Sequence, residues 1–216
     1  MLAVAWDIET CPLPSDGFTS PQEERHQKEV ETQQERNPGV GHEEASKRAR
    51  SFHPYLGWIS CISVVRGKVG EGMAEPRSWS AGAPGEEASL LKEFWEAVGK
   101  LNARPRWATY NGKEFDVPFL TARSSYHGIS PTRQDIIETY PFSHDPHVDL
   151  SKVWLSVGSS FEEMCDHLGV PSPKEDGMDG SVVAEAVSDG RLDKVEAYCE
   201  RDVVATFRCL SSLQWA

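Results

Sequence analysis

The run Leu-Ala-Val-Ala-Trp-Asp at positions 2–7 constrains the fold more than any other segment. It is apolar enough to form a buried strand, and it closes on an acid. Two positions on stands Glu9. Residues two apart on a strand point to the same face, so Asp7 and Glu9 project side by side from the end of an apolar strand. Such a pair is unfavourable unless a cation lies between the carboxylates. A hard divalent ion such as Mg²⁺ or Mn²⁺ is the natural partner for oxygen ligands. Taken alone, Asp-x-Glu is equally an ordinary exposed strand end.

The chain has 216 residues, which fits one domain spanning 1–216 with a polar insertion at about 21–50. With 38% hydrophobic residues and seven Trp it is too apolar for wholesale disorder. No apolar run approaches the ~18–20 residues of a membrane span. The first ten residues have no basic segment and reach Asp7 too early for a signal peptide. Cys11, Cys61, Cys165, Cys199 and Cys209 are an odd set without a Cys-x-x-Cys pair. They read as reduced thiols in a cytoplasmic protein. Lys plus Arg number 22 against 34 Asp plus Glu, a net charge of −12. That balance argues against a protein that coats nucleic acid by charge alone. It leaves room for an enzyme acting on nucleic acid, because bound metals offset carboxylates locally.

Further strands are predicted at 57–66, more weakly at 73–80 after the turn at 67–72, and at 106–110 and 147–150. With the first run they make five. Residues 11–21, rich in Pro and Gly, read as a loop, as do 171–180. Apolar spacing predicts helices at 88–101, 116–126, 180–189 and 192–212, and short ones at 151–156 and 160–168. The 21–50 segment holds two charged stretches separated by Asn37-Pro-Gly-Val-Gly41, each compatible with a polar surface helix. It is either a solvated insertion or a substrate-guiding arm, the latter suggested by Lys47, Arg48 and Arg50. Strands followed by interspersed and terminal helices indicate an α/β layered domain.

Two more segments carry chemistry. In Tyr110-Asn-Gly-Lys-Glu-Phe-Asp116-Val-Pro-Phe-Leu120 a strand ends, Gly112 permits a tight turn and Asp116 opens a helix. In Tyr198-Cys-Glu-Arg-Asp202 a phenol and a carboxylate stand four apart and share one helix face. His144 and His147, with Asp149, are not taken as a metal set; two histidines in a loop are ordinarily solvated.

Together the three segments resemble the DEDD superfamily of 3′→5′ exonucleases. Asp7-Ile8-Glu9 matches the first motif, Asn111 to Asp116 the second, and Tyr198 with Asp202 the third. The His-bearing branch has a histidine five positions before the last Asp; here Ala197 stands there, and Tyr198 fits the Tyr-bearing branch. With residues 147–150, 161–171 and 174–183, the set looks like exonuclease domains akin to those of family-B DNA polymerases that occur as separate proteins in bacteria and phages.

The resemblance implies a ribonuclease H-like fold, a mixed five-stranded sheet flanked by helices. It implies that Asp7, Glu9, Asp116 and Asp202 hold two divalent ions, Mg²⁺ or Mn²⁺, and that Tyr198 orients the attacking water. The implied reaction releases nucleoside 5′-monophosphates stepwise from 3′ ends, with single-stranded DNA as the expected substrate and a replication or repair partner conceivable. Thr10, Asn111, Lys113, Phe115 and Lys174 are the implied substrate contacts, and Arg123 is a further phosphate candidate. Asp149 is either a supporting carboxylate or a helix cap. An RNA exonuclease of the same superfamily and a nuclease-dead binding module are the rival readings; the oligomeric state is not legible.

Overall fold

The computed structural model describes residues 1–154, 158–173 and 182–213. Strand β1 (Leu2–Pro12) lies inside a mixed sheet. It runs antiparallel to β2 (Gly57–Lys68) and parallel to β5 (Arg106–Thr109), which in turn pairs parallel with β6 (His147–Asp149). On the other edge of β2 two short strands, β3 (Gly72–Met73) and β4 (Arg77–Ser80), pair antiparallel. The sheet thus has six strands rather than the expected five. The predicted strand at 73–80 is divided around residues 74–76, where Pro76 has no N–H to offer a ladder.

β1 is also longer than its apolar run. Thr10, Cys11 and Pro12 pair with Ile59, Trp58 and Gly57 after a register shift between Glu9 and Thr10, where Ser60 is the extra residue. The first part of the expected loop at 11–21 is therefore strand.

The two faces of β1 differ in size. Val4, Trp6 and Ile8 belong to a core cluster with Leu91, Phe94 and Trp95 of α3 (Glu87–Gly99) and Phe119 and Leu120 of α4 (Asp116–Tyr126). Ala3 and Ala5 pack with residues of α5 (Phe161–Leu168) and α7 (Leu192–Ser212). Small side chains on that face let α7 lie close to the sheet. Asp7 and Glu9 continue the alanine row, so the alternation of one strand turns both carboxylates toward α7.

Between β1 and β2 the chain makes the excursion predicted as two polar helices, α1 (Ser20–Arg36) and α2 (His42–Ser51). They share a small core of Val30, Ala45 and Ala49. Three hydrogen bonds fasten them to the sheet: Thr10 Oγ1 donates to the Ser51 carbonyl at 2.7 Å, Gln22 Nε2 to that of Tyr55 at 2.8 Å, and Arg50 Nη1 to that of Leu13 at 2.7 Å. Arg48 pairs with Glu44 at 2.8 Å. Two members of the expected basic cluster are thus engaged within the protein. The remaining helix, α6 (Val183–Ser188), packs beside α7. Among the described residues no helix is long and apolar enough to cross a membrane.

One buried charge ties the layers together. Glu87, fully buried at the start of α3, accepts the Ile59 N–H at 2.7 Å, Arg123 Nε and Nη2 at 3.0 and 2.6 Å, and His127 Nε2 at 2.8 Å. Arg123 is therefore inside the fold, its charge matched by Glu87, and not at a phosphate as its sequence position suggested. Glu87→Gln leaves the Arg123 guanidinium buried without its counter-charge, a loss of roughly 3–5 kcal/mol. Urea denaturation followed by circular dichroism should show that loss, and the double variant Glu87→Leu/Arg123→Met should recover much of it.

Candidate active site

Three chain segments meet at the end of β1 that faces α7. β1 presents Asp7 and Glu9. β5 pairs with β1 only at Ala3, Val4 and Ala5. Beyond that point the strands part, and the Ile8 N–H is taken by the Asp116 carboxylate, Oδ1 accepting at 3.1 Å. The first residue of α4 is thereby held against the first motif. On α7, Val195, Tyr198, Cys199 and Val203 form the buried stripe, and Asp202 falls on it at i+4 from Tyr198.

The turn that delivers Asp116 is built for its place. Asn111 has φ of +61°, a conformation that Asn tolerates better than most residues. A Cβ on Gly112 would lie 2.4 Å from the Thr109 side chain, so the position admits glycine alone. Asp149, at the end of β6, fixes the turn. Its Oδ1 accepts the N–H groups of Asn111 and Ser151 at 2.8 and 3.0 Å, and its Oδ2 that of Lys113 at 3.1 Å. Asp149 is thus both a cap for the residues after it and a support for the second motif. The sequence offered these as alternatives; the fold combines them because the carboxylate has two oxygens.

The electrostatics are severe. Burial, then the charges of Asp116, Asp202 and Glu9, push Asp7 well above the usual carboxylate range. Glu9 rises likewise, first by burial and then by Asp202. Asp116 is pushed up to about 7 by burial, moderated by its hydrogen bonds with Asp7 and the Ile8 N–H. The Tyr198 phenol, buried and facing Asp202, Glu9 and Asp7, is raised far beyond its usual value. It is a neutral hydrogen-bond donor at any physiological pH. These shifts share one origin: acidic groups taken from water and placed in one another's field without a cation. Oxygen donors so arranged suit a hard divalent ion.

Cys199 adjoins the cluster and was not anticipated. Its Sγ lies 3.6 Å from the Asp7 carbonyl and 3.8 Å from Asp7 Oδ2. Ligand atoms of Asp7, Glu9 and Cys199 all fall within 4.8 Å of one another. Burial, then the Cys61 thiol and only after it the neighbouring acids, raise its thiol well above the ordinary value, so it lies among the carboxylates as a neutral S–H. Its helical offset from Val195 and Val203 was the available signal.

The expected substrate contacts divide. Thr10 is buried and gives its hydroxyl proton to Ser51. Asn111 and Phe115 remain half-buried beside Asp116. Lys113 departs from expectation. Its side chain is 1% exposed, and Nζ donates to Glu138 Oε2 and to the carbonyls of Tyr140 and Ser143 at 2.7, 2.7 and 2.8 Å. All three of its donors serve the fold, which leaves none for a phosphate. Lys174 lies outside the described residues. His147 is buried rather than solvated. Burial, then Lys113, lowers its pKa to about 3, and the neutral ring bridges Thr109 Oγ1 and the Glu138 carbonyl.

Comparison with known proteins bears on the fold and the family. No curated protein matches the sequence. Among solved structures, the chain is similar to the family B DNA polymerase of the hyperthermophilic archaeon Pyrobaculum calidifontis, with 17% identity and a TM-score of 0.62 over 96% of this chain and 24% of the polymerase. The chain thus spans about a quarter of that polymerase's length. It also aligns with E. coli Exonuclease I in complex with a dT13 oligonucleotide, at 14% identity and a TM-score of 0.45 over 97% of this chain and 40% of the other. The polymerase likeness establishes a fold of the ribonuclease H-like exonuclease type. Residues 53–214, which contain Asp116, Tyr198 and Asp202, match the family described as predicted 3′-5′ exonuclease related to the exonuclease domain of PolB. The chain belongs to this family of DEDD-type 3′-5′ exonucleases.

Proposed function

We propose that this exonuclease hydrolyses single-stranded DNA from the 3′ end, releases nucleoside 5′-monophosphates, and works in the Tyr-bearing manner with two divalent ions. The observation that carries the reading is the convergence of Asp7, Glu9, Asp116 and Asp202 with Tyr198, from three distant segments, at one end of β1. Asp7, Glu9, Asp116 and Asp202 would hold the ions. When bound, such ions supply the positive charge that activates a water and stabilises the leaving 3′-oxygen.

The protein's own groups do the rest. Tyr198 keeps its proton, so it acts as a donor that orients the water and not as a base. The Ile8 N–H fixes the Asp116 carboxylate, and Asp149 fixes the turn before it, so the ligands are positioned before substrate arrives. Asn111 and Phe115 lie half-buried beside Asp116, where they can meet the terminal nucleotide. Water attack at the last phosphodiester breaks the P–O3′ bond; the phosphate leaves on the released nucleotide. The protein carries a formal charge of −12, so affinity for the polyanion is weak and release between turnovers frequent.

A 5′-labelled single-stranded DNA oligonucleotide with Mn²⁺ or Mg²⁺ should give a ladder that shortens from the 3′ end. A matching RNA should be cut more slowly; equal or faster RNA cleavage would transfer the assignment to RNA. Asp116→Ala should lose about 10²–10³-fold or more in turnover, the scale for deleting one preorganised charge-stabilising group. Tyr198→Phe should fall less far, by about 10²-fold or less, the low end of the reach of proton-positioning groups.

Stability should report the metal site independently. The folded, metal-free protein holds protons on Asp7, Glu9 and Asp116 that an unfolded chain, with Asp near ~3.9, has released. Folded values are raised, so their contribution is full at low pH and is lost as pH rises through about 7 for Asp116. Protein treated with EDTA should therefore melt at lower temperature at pH 8 than at pH 5.5. Mn²⁺ should raise the melting temperature most at pH 8, and Asp7→Asn should flatten both effects. A metal-independent melting temperature at pH 8 would contradict the site.

A further inference from the structure

Two large apolar side chains stand in solvent just after α2. Phe52 is 47% exposed and Tyr55 64%. Phe52 caps the C-terminal end of α2. The Phe115 ring meets it edge-on, centroids 6.1 Å apart at 77°, and Phe115 leans in turn on buried Phe119 at 5.6 Å. The position is fixed from both sides of the site. Ser51, the residue before Phe52, is bonded to Thr10, the residue after Glu9. Phe115 is the residue before Asp116. Phe52 therefore stands where the segments bearing Glu9 and Asp116 come together, on a ring supported from within by two others.

Three of the cations near it are engaged within the protein, and only Lys47 of the α2 basic cluster has no such bond among the described residues. Arg48 is paired with Glu44, Arg50 is bonded to Leu13, and Lys113 is buried. An exposed, braced aromatic face next to a nuclease site suits a partner with a flat apolar surface and no need of a counter-charge, which is what an unpaired nucleobase offers. The family match covers residues 53–214, so Phe52 and the excursion that carries it lie outside the matched segment.

We infer that Phe52 is a base-stacking platform for an unpaired base at the 3′ end of the substrate strand, supplied by the α1–α2 excursion. The inference deepens the exonuclease reading above and rests on it. It makes the excursion part of substrate selection: a base stacked on Phe52 has to be free of its complement, so a paired end must fray before it is gripped.

The test compares the whole protein with Phe52→Ala and Phe52→Trp on two 5′-labelled DNA oligonucleotides, one ordinary and one whose last two residues are abasic tetrahydrofuran units. On the ordinary strand Phe52→Ala should lose roughly tenfold or more in kcat/KM, carried by KM, with kcat within about twofold. Phe52→Trp should retain wild-type efficiency. On the abasic-ended strand wild type and Phe52→Ala should be equal, because the base that stacks is gone. Phe52→Ala matching wild type on the ordinary strand would overturn the inference, and so would an equal loss on both strands. If the wild type cleaves neither strand, the exonuclease reading fails on its own. Fluorescence anisotropy with the same oligonucleotides then decides the stacking: weaker binding by Phe52→Ala of the ordinary strand alone supports it, and identical binding overturns it.

Discussion

Asp7, Glu9 and Asp116 are pressed together where a strand end meets a helix start, and burial and mutual repulsion raise all three above the usual carboxylate range. Everything around them serves to hold this unfavourable grouping. β1 is bonded along one side to β2 and along the other to β5. Ala3 and Ala5 pack against the C-terminal half of α7, and its N-terminal half brings Tyr198 and Asp202 to the acids. Asp149 holds the turn that ends in Asp116, and Glu87 locks α4 to α3 and β2. The contrast between the two kinds of buried acid is informative. Glu87 is placed against a guanidinium and an imidazole and stabilises the frame. Among the described residues no ion pair with a basic side chain reaches Asp7, Glu9 or Asp116, a set of oxygen donors that suits a cation.

The sequence made this plan readable where chemistry follows periodicity. Asp7 and Glu9 share a face because strands alternate, and Tyr198 and Asp202 because helices repeat; α4 and α7 begin and end at the predicted residues. It was misleading where charge was taken as a sign of exposure. Lys113 and Arg123 look like phosphate ligands until Glu138 and Glu87 are seen beside them, and those partners are 25 and 36 residues away in the chain. Pro12 looked like the start of a loop, but a proline at a strand's last residue gives up little of the ladder. Cys199 was hidden by its type: a cysteine on a buried stripe reads as core, and only the fold brings it to Asp7.

The second motif depends on a neighbour that takes no part in the chemistry. β6 is three residues long, yet His147 and Asp149 at its ends hold Thr109 and the Asn111–Lys113 turn. His147 is neutral across the physiological range because burial, reinforced by Lys113, has lowered its pKa to about 3. The support beneath the site is consequently insensitive to the pH changes that alter the site itself.

The α1–α2 excursion leaves the sheet after Pro12 and returns to it at Gly57, and those two residues are partners in the same ladder. Its two ends are therefore neighbours in space, as in a hairpin loop. A segment attached in this way can be lengthened, shortened or replaced without moving the strands, since the register is already set by the pairs on either side. Asp7, Glu9, Asp116 and Asp202 all lie outside this excursion, so the acidic cluster and the excursion occupy separately heritable parts of the chain. Evolution, or an engineer, can exchange one surface for another here while the acidic cluster keeps its geometry.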